Sequence, residues 1–289
     1  MSGATPPSPS PTTPLHSYHA EAFALDGDLH LPLKTPIKPQ AFVKIAENGG
    51  YLSERAVDYR LEGIFSFKHA YTQVAGHQET KPGRGYITLA TSVIEGFNVL
   101  DVVTADRIVA QVSTEHPLEG YIPDVTFLGT RFENLRIAGH PVRLDLDTNL
   151  FGSAPKNDTP HSRGEFRNNA VRQCEKLLGI RDLPSEVTQR YNRIPSNPTP
   201  QGSIECSLVH QAEGSYPGHS FGHVIDIPHF GKVYLATVRL EESDPHPTKR
   251  TPRQTLIKLT MIEIKMGCIG SGSGSAGNTV VNGGTKGTG

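Results

Sequence analysis

A chain of 289 residues with a formal charge of −1 and an isoelectric point near 6.9 has no basic excess with which to hold nucleic acid or an anionic membrane. Its three cysteines, Cys174, Cys206 and Cys268, are too few and odd in number for a secreted disulfide framework and lack metal-knuckle spacing, so they read as buried or incidental thiols. No apolar run approaches the roughly 18–20 residues of a membrane helix, and the charged-then-apolar layout of a signal peptide is missing. The expectation is a soluble, cytoplasmic protein without membrane insertion.

In chain order, residues 1–15, MSGATPPSPSPTTPL, are too poor in apolar groups to offset the entropy of ordering and are predicted to form a disordered arm. From residue 16 to 269 the sequence predicts a single β-rich domain. "SYHAEAFALDGDLHL" and "YRLEGIFSFKHAYTQVAG" alternate apolar and polar residues at period two, the rhythm of half-buried strands. The same rhythm continues in "YITLATSV" (86–93), "VLDVVTADRIVAQVST" (99–114), "VTFLGTRFENLRI" (125–137) and "VRLDLD" (142–147). In the last of these, Val142, Leu144 and Leu146 share one face while Arg143, Asp145 and Asp147 share the other. "KPGRG", "EHPLEGYIPD" and "AGHP" between them are turns, with Gly or Pro where the chain reverses.

One segment departs from this pattern. In 163–195, Phe166, Ala170, Cys174, Leu177 and Leu178 recur at helical spacing, Gly179 is placed to end that helix, and "LPSEVTQRYN" offers start signals for a second. This helical insertion is expected to cover a sheet edge, with a lid over a site as the other reading. Strands resume in "SIECSLVHQAEG", "GHVIDIP", "KVYLATVRLEE" and "TLIKLTMIEIKM". "HPTKRTPRQT" (246–255) is a proline-broken solvated loop, and 270–289 is a flexible Gly/Ser tail. With so few helices between strands, the fold class is mainly β, an antiparallel sandwich or jelly roll with disordered N- and C-terminal tails.

The stretch "GHSFGHVIDIPHFGKVYLAT" (218–237) places three histidines within eleven residues. His219, His223 and His229, joined by Asp226, are candidate ligands for a divalent metal, since neutral imidazole is the usual nitrogen ligand and three leave a fourth position for water. Against this, H-x3-H-x5-H is no established metal pattern, and Pro217, Gly218 and Gly222 exclude the helix on which an i, i+4 pair works best. The stretch reads better as a hairpin: a short strand over Val224–Ile227, a tight turn over Pro228–Gly231, and a return over Val233–Leu240. "DLDTNLFG" (145–152) fails as a calcium loop because Leu150 stands where Gly is needed and Lys156 where Glu is needed. "GSGSAG" (272–277) matches a dinucleotide fingerprint in form only, since no helix can follow it. Cys206 and His210, on one strand, are too far apart for proton transfer. The acids Glu205, Asp226, Glu241 and Glu242 are the stock for any carboxylate pair.

"SYHAEAFALDGDLHL", "TSVIEGFNVLDVVTADRIVAQVST", "FENLRIAGHPVRLDL", "IDIPHFGKVYLATVRLEE" and "LIKLTMIEIKMGCIGSGSG" resemble, in order and spacing, the bacterial choice-of-anchor P proteins. The resemblance implies a β-rich extracytoplasmic protein without catalytic residues to carry over, and places Gly139, Pro141, Pro228 and Gly231 at turns. Three functional readings follow. The first is a non-enzymatic structural or interaction protein that partners with protein, its own copies included, as a homo-oligomer and needs no cofactor. The second is a metal-dependent enzyme using the histidine cluster. The third is a carbohydrate-binding sandwich with Tyr51, Tyr59, Tyr71 and Tyr121 as stacking platforms.

Overall fold

A computed structural model describes residues 16–30, 34–80, 85–118, 122–153, 159–196, 203–243, 254–267 and 271–285. The expected arm 1–15, Cys268, Tyr121 and most of the loop 246–255 lie outside the described residues. Three strands open the chain, β1 (His16–Leu29), β2 (Thr35–Gln40) and β3 (Val43–Lys44). A meander of long strands follows: β4 (Gly50–Leu61), β5 (Phe65–Gln78), β6 (Tyr86–Val99) and β7 (Val103–His116). Where the sequence predicts one strand over 125–137, the chain forms short pieces, β8 (Asp124–Thr126), β9 (Arg131–Glu133) and β10 (Arg136–Ile137), which all pair with β7. Then come β11 (His140–Pro141) and β12 (Arg143–Leu146), and the helical insertion as α1 (Glu165–Leu178), α2 (Ser185–Tyr191) and α3 (Arg193–Ser196). The last strands are β13 (Ser203–Ser207), β14 (Val209–Glu213), β15 (His219–Phe221), β16 (Val224–Ile227), β17 (Gly231–Ser243), β18 (Gln254–Met266) and β19 (Gly272–Thr285).

The strands form two antiparallel sheets packed face to face. The first has the order β15-β16-β17-β18-β19-β1-β2, the second β11-β10-β7-β6-β5-β4, and β12 with β14 makes a small ribbon. Of the two architectures expected, this is the sandwich, built from meanders. β1, β19 and β18 face β5, β6 and β7 across one continuous core that includes Leu25, Phe65, Phe97, Ile108, Leu235 and Ile262. No described helix is long and apolar enough to cross a membrane.

The Gly/Ser tail expected from residue 270 is a correction: residues 272–285 form β19, paired along its length with β18 on one side and β1 on the other. Its small residues are what the position needs. A Cβ on Gly274 would stand 2.6 Å from Cζ of Phe65, so the ring of the facing sheet occupies the space a side chain would take. The folding unit therefore runs past residue 269 to the end of this strand.

Both sheets also change phase part-way along. In the second, Asp58, Lys68, Gly96 and Asp106 lie in one row across four strands, and Asp58 and Gly96 have φ of 51° and 67°. In the first, Ala24, Gly277, Met261 and Ala236 make a similar row, with Gly277 at 65° and Ala236 at 46°. A left-handed residue in alternate strands reverses which side chains face inward. Hence Phe67 is buried on one side of the row and Ala70, Val74 on the other.

The insertion behaves as the spacing predicts: α1 buries Phe166, Ala170, Cys174 and Leu177. As expected, α1 covers a sheet edge, with Gln173 taking the N–H and C=O of Ser207 on the side of β13 away from β17, while α2 lies on the outward face of the first sheet near β15–β17. Val233 and Leu235 of β17 face the main core, while Tyr234 faces the helices with Val187, Tyr191 and Ile194. At the other end of the meander, the β6–β7 turn places Leu100 and Asp101 both at positive φ, 53° and 55°, a type I′ pattern. Asn98 stands in for the usual Asn-Gly, its Oδ1 accepting the Asp101 N–H at 2.8 Å.

Candidate functional site

The 218–240 hairpin forms as the sequence leads one to expect, with β16 over Val224–Ile227 and β17 returning from Gly231. The histidines separate along it. His219 is exposed on the three-residue strand β15, opposite Asp226 in register. His229 occupies the turn with φ of 63°. His223 is buried, and its Nε2 lies 2.7 Å from the Tyr191 hydroxyl. Asp226 has Lys232 as its neighbour, 3.8 Å away. Among the described residues no three of His, Cys, Asp or Glu stand together as a metal site, so the proposed set His219, His223, His229 and Asp226 does not converge. One imidazole points into a dry core and two lie at a strand edge and a turn, which keeps them from sharing an ion.

Burial lowers His223 from 6.5 to about 4 and does the same to His16, which stacks on Tyr86 at 4.4 Å and lies 4.8 Å from His116. Both rings are therefore neutral in the fold but protonate readily once unfolded. The stability they allow is full above about pH 6.5 and is lost as pH falls toward about 4, with His223 alone worth roughly 3 kcal/mol. Urea unfolding followed from pH 7 to 4 checks this: His223→Phe is expected to flatten the profile in that window, and an unchanged slope would reject it.

Other sequence candidates are placed as follows. Cys206 ends in the core of β13 while His210 is exposed on β14 after the bend at Leu208, so the two share no strand and no face. Glu242 accepts the His161 and Ser162 backbone N–H groups, both at 3.0 Å. Tyr59 stacks on Phe67 at 5.2 Å, Tyr71 donates to Gln73 at 2.8 Å, and Tyr51 is exposed beside Tyr71. Tyr51 and Tyr71 share one face of the second sheet with their hydroxyls 3.3 Å apart, while Tyr59 lies beyond the kink against Phe67.

What the sequence did not reveal is an ion network on the outward face of the first sheet. Arg190 of α2 makes a two-pronged pair with Glu263, at 2.8 and 2.7 Å, and a further close pair with Glu205. Glu205 also accepts from Arg239 at 2.7 and 3.2 Å. Burial pushes the Glu205 carboxyl up, but Arg190 and then Arg239, by charge and hydrogen bonding, outweigh it and hold the group below its ordinary value. The Arg190 guanidinium lies 4.2 Å above the Tyr234 ring. The network borders a cleft of about 330 Å3 whose lining also includes Asp26, Lys258 and Ser275. Asp26 is raised by burial, against the Ser275 hydroxyl that donates to it. Since Arg190, Glu205 and Glu263 are paired with one another, their arrangement fastens α2 to the sheet.

A second cleft, about 400 Å3, lies between α1 and the β13–β14 bend. The remaining notable surface is β4, at the end of the second sheet. Among the described residues it pairs with β5 alone and is exposed over nearly its whole length, with Tyr51, Leu52 and Val57 at 58%, 47% and 64% exposure.

Comparison with protein families adds one finding: a family model described as a domain of unknown function, DUF8256, matches residues 16–241. The chain belongs to that family. No curated protein and no solved structure matches the chain. The DUF8256 match ends within β17, so β18 and β19, which join β17 to β1 in the first sheet, lie beyond it.

Proposed function

We propose that this protein is a non-enzymatic β-sandwich that works by association, and that two copies join through the free edge of β4. The observation that carries the reading is the edge itself: twelve residues of strand, Gly50–Leu61, with one neighbour among the described residues and with apolar side chains open to solvent on both faces. A single copy leaves that row of N–H and C=O groups to water, and a second strand satisfies it.

Charges such as Glu54, Arg55, Asp58 and Arg60 normally deter pairing at an edge, and here they select its register. The kink at Asp58 limits a straight ladder to the first eight residues. An antiparallel pair related by a two-fold at Glu54 or at Arg55 sets like charges face to face, which is unfavourable. A two-fold at Ser53 sets each Tyr51 opposite the Arg55 of the other copy, a cation over an aromatic ring, and each Leu52 opposite Glu54.

Light scattering over the micromolar range is expected to show mass rising toward a dimer, and Leu52→Lys with Val57→Lys is expected to hold the protein monomeric without lowering its unfolding midpoint. Register is tested by crosslinking. Directly paired Cα atoms lie about 4.5–5.5 Å apart, within the reach of a disulfide, about 4.4–6.8 Å. In a Cys268→Ser background, Ser53→Cys is expected to crosslink on oxidation and Arg55→Cys is not. A strict monomer at all concentrations would overturn the reading.

A further inference from the structure

The cleft between α1 and the β13–β14 bend is lined by His223, whose Nε2 is engaged by Tyr191, and by none of the ion network. Its floor is apolar, made by Leu150, Leu177 and Val209, all buried. Gln173 forms a fixed wall, because both ends of its amide are taken. The nitrogen donates to the carbonyls of Ser207 and Val209 at 2.9 and 3.3 Å, and the oxygen accepts the Ser207 N–H at 2.7 Å.

The polar groups left over are cationic. Arg172 donates from Nη2 to Asn169 Oδ1 at 2.6 Å and from Nε to the Asn168 carbonyl at 3.4 Å. Asn169 in turn donates to the Leu150 carbonyl at 2.9 Å, so the guanidinium is oriented by a chain that ends in the cleft floor and keeps N–H groups for a ligand. Lys176 follows one turn later on the same helix face and makes no ion pair with a described residue, and His210 reaches the cleft from β14. Asp147, the one carboxylate in the described lining, has its Oδ1 engaged by the Asn149 N–H at 3.0 Å. The volume suits a small organic molecule.

We propose that this cleft binds an organic anion with a compact apolar body, the body lying on Leu150, Leu177 and Val209 and the acid group lying between Arg172 and Lys176. Two cations one helical turn apart match a carboxylate or sulfonate, and the dry floor excludes a bare inorganic ion, which would leave its solvation shell for apolar surface. The site is independent of β4 and does not depend on association.

Calorimetric titration with octanoate and with neutral octanamide, on the full chain at low ionic strength, tests it. Octanoate is expected to saturate one site per chain and octanamide to bind about tenfold more weakly or worse, the difference a charge-assisted contact confers. Arg172→Gln with Lys176→Gln is expected to bring octanoate down to the level of octanamide. Because Arg172 and Lys176 are both exposed, the variant keeps the unfolding midpoint of the parent. Lys176→Gln alone leaves the Arg172–Asn169 contact intact and gives a smaller loss of the same sign. Absence of octanoate binding up to millimolar concentration, equal binding of the amide, or a double variant that binds as the parent does would each overturn the proposal.

Discussion

A chain cut after Met266 will not fold. The residues lost form β19, which is enclosed between β18 and β1, so the cut opens two ladders at once in the middle of the first sheet. It also removes Ala276, Thr279 and Val281 from the core and uncovers Phe65, whose ring rests on Gly274. Buried backbone groups left without partners cost about 1–3 kcal/mol each, and a domain holds only about 5–15 kcal/mol in total. The expected result is an insoluble or non-cooperative product by circular dichroism and thermal unfolding. A cooperative transition at the parent midpoint would show that β19 is dispensable. A milder arm isolates the packing: Gly274→Val is expected to destabilise by roughly 1–3 kcal/mol through overpacking. Phe65→Leu in the same chain should return part of that loss, because the clash has one partner.

Arg190→Met is expected to cost about 3 kcal/mol, the lower end for breaking a buried ion pair by removing one partner. The substitution keeps much of the apolar stem over Tyr234 but strips Glu205 and Glu263 of their shared guanidinium, with only the half-exposed Arg239 left on Glu205. A pH signature separates this from lost packing. In the parent, Glu205 titrates below its ordinary value of 4.5. It therefore contributes stability above that value, which disappears as pH falls through the lower folded pKa. In Arg190→Met the burial that raises the carboxyl is less opposed, so acid unfolding should begin at higher pH. Salt should change the parent little, since the pair is shielded from solvent. A loss under about 1 kcal/mol, the worth of a surface pair, with an unmoved acid limb would mean that the network does not hold α2 to the sheet.

Period-two alternation was legible wherever strands bury one face. Leu144 and Leu146 fall on the more buried side of β12, with Val142 buried just before it, and the hairpin from Val224 through Leu240 forms with its turn at Pro228–Phe230. Helical spacing marked α1 equally well, down to Cys174 and Leu177. The failures share a cause in contacts made far along the chain. β19 carries little apolar alternation because Phe65 at Gly274, and Met261 and Ile108 at Gly277, fill the space side chains would take, so its sequence looks like a linker. The phase changes at Asp58, Gly96, Ala236 and Gly277 invert the inward set within a strand, and alternation read from one end misassigns the other.

The site residues show the same division. That His219, His223 and His229 fall around a hairpin could be read from Gly and Pro nearby; that His223 alone enters a core and meets Tyr191 is a consequence of where the insertion packs. Arg190 and Glu263 are 73 residues apart and Arg172 faces His210 only through the fold, so neither the ion network nor the cationic cleft has a local signature.

By itself, then, the sequence determined the kind of element at most positions, because pleat and helix repeat over a few residues and leave their period in the apolar pattern. Which strands are neighbours, which edge stays open and which charges meet were decided by the tertiary structure alone. Those depend on surfaces that come together across the sandwich, where shape and desolvation act between residues that local pattern does not connect.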